Sequence, residues 1–134
     1  MKTKHFTLFL ALVATTALWA SNVITYTATE KLQETTSSYG SGLLTNAFNV
    51  AITSHKFYNG IGTITFAGEV TTIGEWAFAG CWSLTSVTIP NSVTTIGKMA
   101  FYHCFGLTSV TIPNSVTTIG DDAFRDCSGL TSPI

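Results

Sequence analysis

Apolar and polar positions in the second half of the chain recur with a period of 23 residues. The segment Val87–Gly97 (VTIPNSVTTIG) returns unchanged as Val110–Gly120. The same offset aligns Ile73, Ile96 and Ile119, then Ala77, Ala100 and Ala123, then Phe78, Phe101 and Phe124. It also aligns Cys81, Cys104 and Cys127, and Leu84, Leu107 and Leu130. Upstream, Ile61, Ile64, Phe66 and Val70 stand one unit before Leu84, Val87, Ile89 and Val93. Before Ile61 the pattern fades, and His55 and Tyr58 fall where Phe78 and Cys81 stand one unit later. Such regularity marks stacked supersecondary units, none of which can bury its apolar face alone.

Within a unit, Leu84, Val87 and Ile89 alternate with Ser86 and Thr88, which predicts a strand. Pro90-Asn91-Ser92 ends it, because proline lacks the ladder donor. Gly97 is expected at a turn with positive φ. The spacing of Ala100, Phe101 and Cys104 predicts a single helical or 3₁₀ turn resting on the core. Backbone ladders are expected to run from unit to unit.

The flanks read differently. Residues 1–20 have the form of a signal peptide: Lys2 and Lys4, then an uncharged apolar run from Phe6 to Ala20 that is short for a membrane span. Cleavage is expected after Ala20, with Ala17 as the alternative site and an N-terminal membrane anchor as the alternative reading. Residues 21–60 are expected to cap the stack. Ile24–Thr29 alternates as a strand, Gln33–Gly42 is polar and reads as a loop, and Leu44–Tyr58 fits either strand or irregular structure. Residues 61–134 hold about three units. The final Thr131-Ser-Pro133-Ile134 offers no C-terminal cap, which admits a truncated last strand, a longer array, or self-association through the open repeat.

The unit Leu-x-x-Val-x-Ile-Pro-x-x-Val-x-x-Ile-Gly-x-x-Ala-Phe-x-x-Cys resembles the BspA-like leucine-rich repeats of bacterial and some protist surface proteins, over roughly residues 61–132. The stretch Ile24–Leu32 is similar to the segment preceding such repeats in secreted proteins of gut-type bacteria. The resemblance implies an α/β leucine-rich-repeat solenoid, right-handed and curved. It would be mostly β, with short helical or 3₁₀ turns on the convex side and parallel strands on the concave face. It also implies export to the cell surface or medium and a role in adhesion or protein binding, without catalytic residues. The chain departs from the pattern in its small number of units, in Pro133 at an expected strand position, and in Trp82 and Phe105 after the cysteine column, where small polar residues are more usual.

Composition narrows the chemistry. Charged residues make up 10% of the chain, with Lys+Arg 6 against Asp+Glu 7, so there is no basic cluster for nucleic acid or an anionic membrane. Beyond residue 20, Lys31, Lys56, Lys98 and Arg125 face seven acidic side chains, a net charge of −3. Thr (24) and Ser (12) are plentiful, whereas general acid–base candidates are few, which argues against an enzyme. The cysteines lack any Cys-x-x-Cys spacing, so neither metal nor cofactor is implied. Neighbouring cysteines one unit apart are close enough for a disulfide, although a buried column of free thiols is the plainer reading. His103 beside Cys104 lacks an orienting acid, so a catalytic pair is not supported. Glu75, Lys98 and Asp121 alternate in sign down one column and would allow weak inter-unit pairing.

The candidate protein-binding residues are therefore the strand-face hydroxyls Thr63, Thr65, Ser86, Thr88, Ser109 and Thr111, expected in two parallel rows, and the marginal aromatics Trp82 and Phe105. The resemblance, with the leader-like N-terminus, leads us to expect a secreted or cell-surface protein whose partners are extracellular or host-surface proteins, with no nucleic acid and no membrane span after leader removal. The alternative is a structural repeat cassette of a longer surface protein, with no ligand of its own.

Overall fold

The computed structural model describes residues 21–37 and 41–131. The expected leader at 1–20 and Pro133 lie outside the described residues. In chain order the strands are β1 (Val23–Ala28), β2 (Glu34–Thr35), β3 (Leu43–Leu44), β4 (Ile52–Tyr58), β5 (Ile61–Phe66), β6 (Thr72–Ile73), β7 (Leu84–Thr88), β8 (Thr95–Ile96), β9 (Ser109–Thr111) and β10 (Thr118–Ile119).

The principal sheet has the order β4–β5–β1–β7–β9. Only β7 and β9 pair in parallel, with Ser86 opposite Ser109 and Thr88 opposite Thr111. This corrects the expectation of a uniformly parallel strand layer. The first-unit strand β5 does not touch its repeat partner β7, because β1 lies between them and pairs antiparallel with both. The alternation of Ile24, Tyr26 and Ala28 with Thr25 and Thr27 suits that place, since the first three are buried and both strand edges are satisfied. Residues 21–37 thus run through the sheet as well as beside it. β4 turns back onto β5 through Asn59-Gly60, whose φ values of 52° and 82° form the hairpin turn that an Asn-Gly pair favours.

A second, parallel sheet stacks β6, β8 and β10 in the order β10–β8–β6. The N-terminal segment finishes its exposed side by imitation. The amides of Thr94 and Thr95 donate to the Thr71 carbonyl, and those of Thr71 and Thr72 donate to Asn49 Oδ1 at 2.9 and 3.1 Å. An asparagine side chain therefore stands where a preceding unit would present a carbonyl.

The segment expected as a helical turn is a run of linked β-turns. Ala77, Ala79, Cys81 and Leu84 donate to Gly74, Trp76, Phe78 and Cys81. Between them, the amides of Trp76, Phe78 and Gly80 donate to Lys98, Ala100 and Tyr102 of the next unit. Met99, Phe101 and His103 repeat this onto Asp121, Ala123 and Arg125. Positive φ at Trp76 and Gly80, Met99 and His103, and Asp122 and Asp126 is incompatible with a right-handed helix, and half the amides are committed to a neighbour. No helix occurs among the described residues. Strand side and turn side are thus both tied from unit to unit by backbone hydrogen bonds.

Gly97 is needed for a different reason from the one expected. Its φ is not positive; instead a Cβ there would come within 2.7 Å of the Glu75 nitrogen and the Gly74 carbonyl carbon. Close stacking of backbones, not turn geometry, fixes this column.

The core lies between the sheets and the turns. Phe78, Phe101 and Phe124 stack with centroids 5.0 and 5.1 Å apart and nearly parallel rings. Phe48 meets Phe78 edge-on at 5.9 Å and closes this ladder at the N-terminal side.

Candidate binding surface

The outward face of the principal sheet carries the predicted hydroxyls, but in a different alignment. Because β1 is antiparallel and interposed, Thr63 faces Thr25, which faces Thr88, which faces Thr111. The adjacent row runs Ile61, Thr27, Ser86 and Ser109. Thr65 lies beyond these rows, opposite Val23 and Ser54. The expected rows of Thr63 with Ser86 and of Thr65 with Thr88 therefore do not form. Antiparallel insertion moves the first unit by one row, and only the pairs from β7 and β9 stand as predicted.

Two of the hydroxyls in these rows, Thr25 and Thr27, come from the segment assigned only to capping. Their alternation with Ile24, Tyr26 and Ala28 was a legible strand signal, but nothing in it marks where the strand inserts. Thr27 Oγ1 lies 2.6 Å from both Thr85 Oγ1 and Ser86 Oγ. This is the site of a bulge, where Ala28 already faces Leu84 and Thr85 is the extra residue. Two exposed apolar side chains also join the face: Tyr58, 84% exposed, and its cross-strand neighbour Ile61. Lys56 faces Thr63 from the edge strand.

Trp82 and Phe105 are both exposed, at 62% and 46%. Trp82 lines a cleft of about 190 Å³ with Glu30, Lys31, Gln33 and Ser83. Phe105 ends an aromatic string: Trp76 meets Tyr102 edge-on at 5.8 Å, Tyr102 stacks on His103 at 3.8 Å, and His103 reaches Phe105 at 5.1 Å.

The cysteine column is buried and free. Cys104 Sγ donates to the Phe78 carbonyl and Cys127 Sγ to that of Phe101, each at 3.0 Å. Burial pushes the Cys81 thiol up to about 12. Cys104 is raised too, by its hydrogen bond with Cys127 and then by burial. Cys81 and Cys104 are inert thiols, whereas the hydrogen bond from Cys104 lowers Cys127 below the ordinary thiol value. His103 does have an acid, Asp126 Oδ2 at 2.9 Å, which sequence adjacency did not reveal, but the neighbouring thiol is turned into the core. The column of Glu75, Lys98 and Asp121 forms no ion pair among the described residues, and Glu75 accepts from Trp76 Nε1 instead.

One polar cluster was invisible in the sequence. Tyr26 Oη lies 2.7 Å from His55 Nε2, and His55 Nδ1 lies 2.7 Å from Glu34 Oε1. The Leu32 amide donates to Tyr26 Oη at 3.4 Å. The carboxylate can only accept, so Nδ1–H donates to Glu34 Oε1, and in the neutral ring Nε2 then accepts from the phenol. This chain joins β1, β2 and β4 and holds the inserted strand. No group of three or more metal-ligating side chains occurs among the described residues.

A family model described as "BspA type leucine rich repeat region (6 copies)" matches residues 49–133. No curated protein matches. Among solved structures, a leucine rich cell surface protein from Faecalibacterium prausnitzii is 44% identical over 46% of this chain, with a TM-score of 0.45. A leucine-rich repeat protein from Bacteroides ovatus is 30% identical over 77% of this chain, with a TM-score of 0.49. The chain spans 16% of the first and 27% of the second.

Proposed function

The chain belongs to the BspA-type leucine-rich-repeat family, and from that premise we propose that it is a secreted or cell-surface protein that binds other proteins. The outward face of the principal sheet is the binding surface, with Trp82 and Phe105 as anchors at its margin. The observation that carries this reading is the arrangement of exposed groups. Hydroxyls from four strands line up in rows with exposed Tyr58 and Ile61, and Trp82 and Phe105 are exposed in the turns that precede β7 and β9; the core requires none of these four. Large exposed side chains next to a polar, hydrogen-bonding sheet are what a protein interface uses: aromatic anchors for energy and hydroxyls for orientation. Each hydroxyl contributes about 0.5–1.5 kcal/mol, so the aromatics decide the affinity. The role needs no cofactor and no catalytic group. The leader-like residues 1–20 and the family's surface character support an exported, solenoid-forming protein whose partners are extracellular-matrix or host-surface proteins.

The test is capture of purified extracellular-matrix and cell-surface proteins by the immobilised chain, with Trp82→Ala/Phe105→Ala as the comparison. Retention at least tenfold stronger on the parent chain supports the reading. Equal retention, or none by either, removes it.

A further inference from the structure

Elsewhere in the described residues each repeat unit is hydrogen-bonded directly to the next: β7 to β9, β6 to β8, β8 to β10, and turn to turn. Between β5 and β7 alone a strand from outside the repeats intervenes. The resulting slot is about two strand spacings wide, roughly 9.6 Å. Its requirements are set by the two walls: an antiparallel occupant with apolar side chains at alternate positions. β1 meets them with buried Ile24, Tyr26 and Ala28, and it turns Thr25 and Thr27 outward into the hydroxyl rows. Its link to the rest of the chain, Thr29-Glu30-Lys31, is exposed and belongs to no strand.

We propose that the slot accepts β1 of a second copy of this chain, giving a strand-exchanged dimer in which each binding face is completed by Thr25 and Thr27 of the other molecule. The second copy is the occupant the observations favour, because identity guarantees complementarity. Every hydrogen bond and buried side chain that β1 has in its own chain it regains in its twin, so exchange changes only the link, including its contacts of Thr29 N and the Glu30 carbonyl with Ser83, and the cost of association. The walls are also suited to a visiting strand. β5 matches β7 at the repeat offset as β7 matches β9, so an emptied slot can close transiently by direct pairing. The consequence reaches beyond the binding role: two faces held in one particle raise avidity for a repetitive or multivalent target without any new contact.

The experiment uses two full-length chains, one with Thr25→Cys and the other with Thr88→Cys, unfolded together and refolded at high concentration. Thr25 and Thr88 are cross-strand partners, whereas Thr111 lies one strand further on. A disulfide joining the two chains, at least tenfold more abundant than with Thr111→Cys in place of Thr88→Cys, reports exchange. Refolding is carried out under reducing conditions and the bridge is formed by oxidation afterwards, when the native thiols are buried again. Light scattering on the parent chain should show a two-chain mass that grows with refolding concentration, and deleting Glu30 and Lys31 should increase it by preventing β1 from folding back. A one-chain mass at every concentration overturns the proposal, as does the absence of the inter-chain bond when Thr25→Cys and Thr88→Cys in one chain do bridge.

Discussion

Tyr26→Phe removes one oxygen from the inserted strand and tests whether the buried polar chain holds that strand in place. The ring stays, along with its stacking on Phe57 at 6.2 Å, so little packing changes. What is lost is the donor to His55 Nε2 at 2.7 Å and the acceptor for the Leu32 amide at 3.4 Å. The second contact is long and contributes little. The first leaves an acceptor stranded on a side chain that is 2% exposed, where water cannot replace the phenol. An unsatisfied buried acceptor costs about 1–3 kcal/mol, which for a domain near this size lowers Tm by roughly 4–10 °C. Urea unfolding should give the cost in kcal/mol, and the same substitution in a His55→Leu background should cost at least ~1 kcal/mol less, because the stranded acceptor is gone. A loss under ~0.5 kcal/mol, or equal losses in both backgrounds, would refute the assignment of the phenol as donor.

Asn49→Ala should destabilise by about 1–2 kcal/mol, because it strips the stand-in carbonyl from the amides of Thr71 and Thr72. Asn49→Asp should recover most of that loss in the same denaturation assay, since the acceptor returns. Gly62→Ala should be severe, at about 3 kcal/mol or more, because a Cβ would sit 1.9 Å from Tyr26 Cζ; soluble yield and near-ultraviolet dichroism are the readouts. Stability should fall as pH rises above about 8.5. There the unfolded chain releases thiol protons that folded Cys81 and Cys104 retain, at about 1.4 kcal/mol per pH unit for each thiol, until Cys81 itself titrates near 12. A thiol reagent at neutral pH should find Cys81 and Cys104 unreactive in the native protein and all three cysteines reactive in the denatured one.

The parts of this fold that were legible in the sequence are those in which a residue meets its own repeat. Phe78 on Phe101, Ser86 beside Ser109 and Thr95 beside Thr118 follow from the offset alone, because identical units must stack in register. The β-turn run was misread as helix because an i, i+1, i+4 apolar pattern suits both. The deciding feature is where alternate amides find acceptors, and that lies on another unit. The position of β1 was hidden for a related reason. Alternation shows that Ile24–Ala28 is a strand with one buried face, but a sheet edge and a slot between two strands present that face equally. The hydroxyl rows shifted with it, so Thr25 and Thr27 entered the surface and Thr65 moved to its flank. The Tyr26–His55–Glu34 chain brings together residues up to 29 positions apart with no common spacing.

The direction of the inter-unit hydrogen bonds has an electrostatic consequence. On the turn side, donors in one unit point to acceptors in the next: Phe78 to Ala100, Phe101 to Ala123. On the side of the second sheet the sense reverses, and Gly97 donates back to Ile73, Gly120 back to Ile96. The peptide dipoles along the stack therefore oppose one another. An α-helix sums such dipoles and requires acids at one end and bases at the other. Here the polarity cancels within each pair of units, so a stack of any length accumulates no charge at its ends, and a terminal unit can be closed by neutral groups such as Asn49.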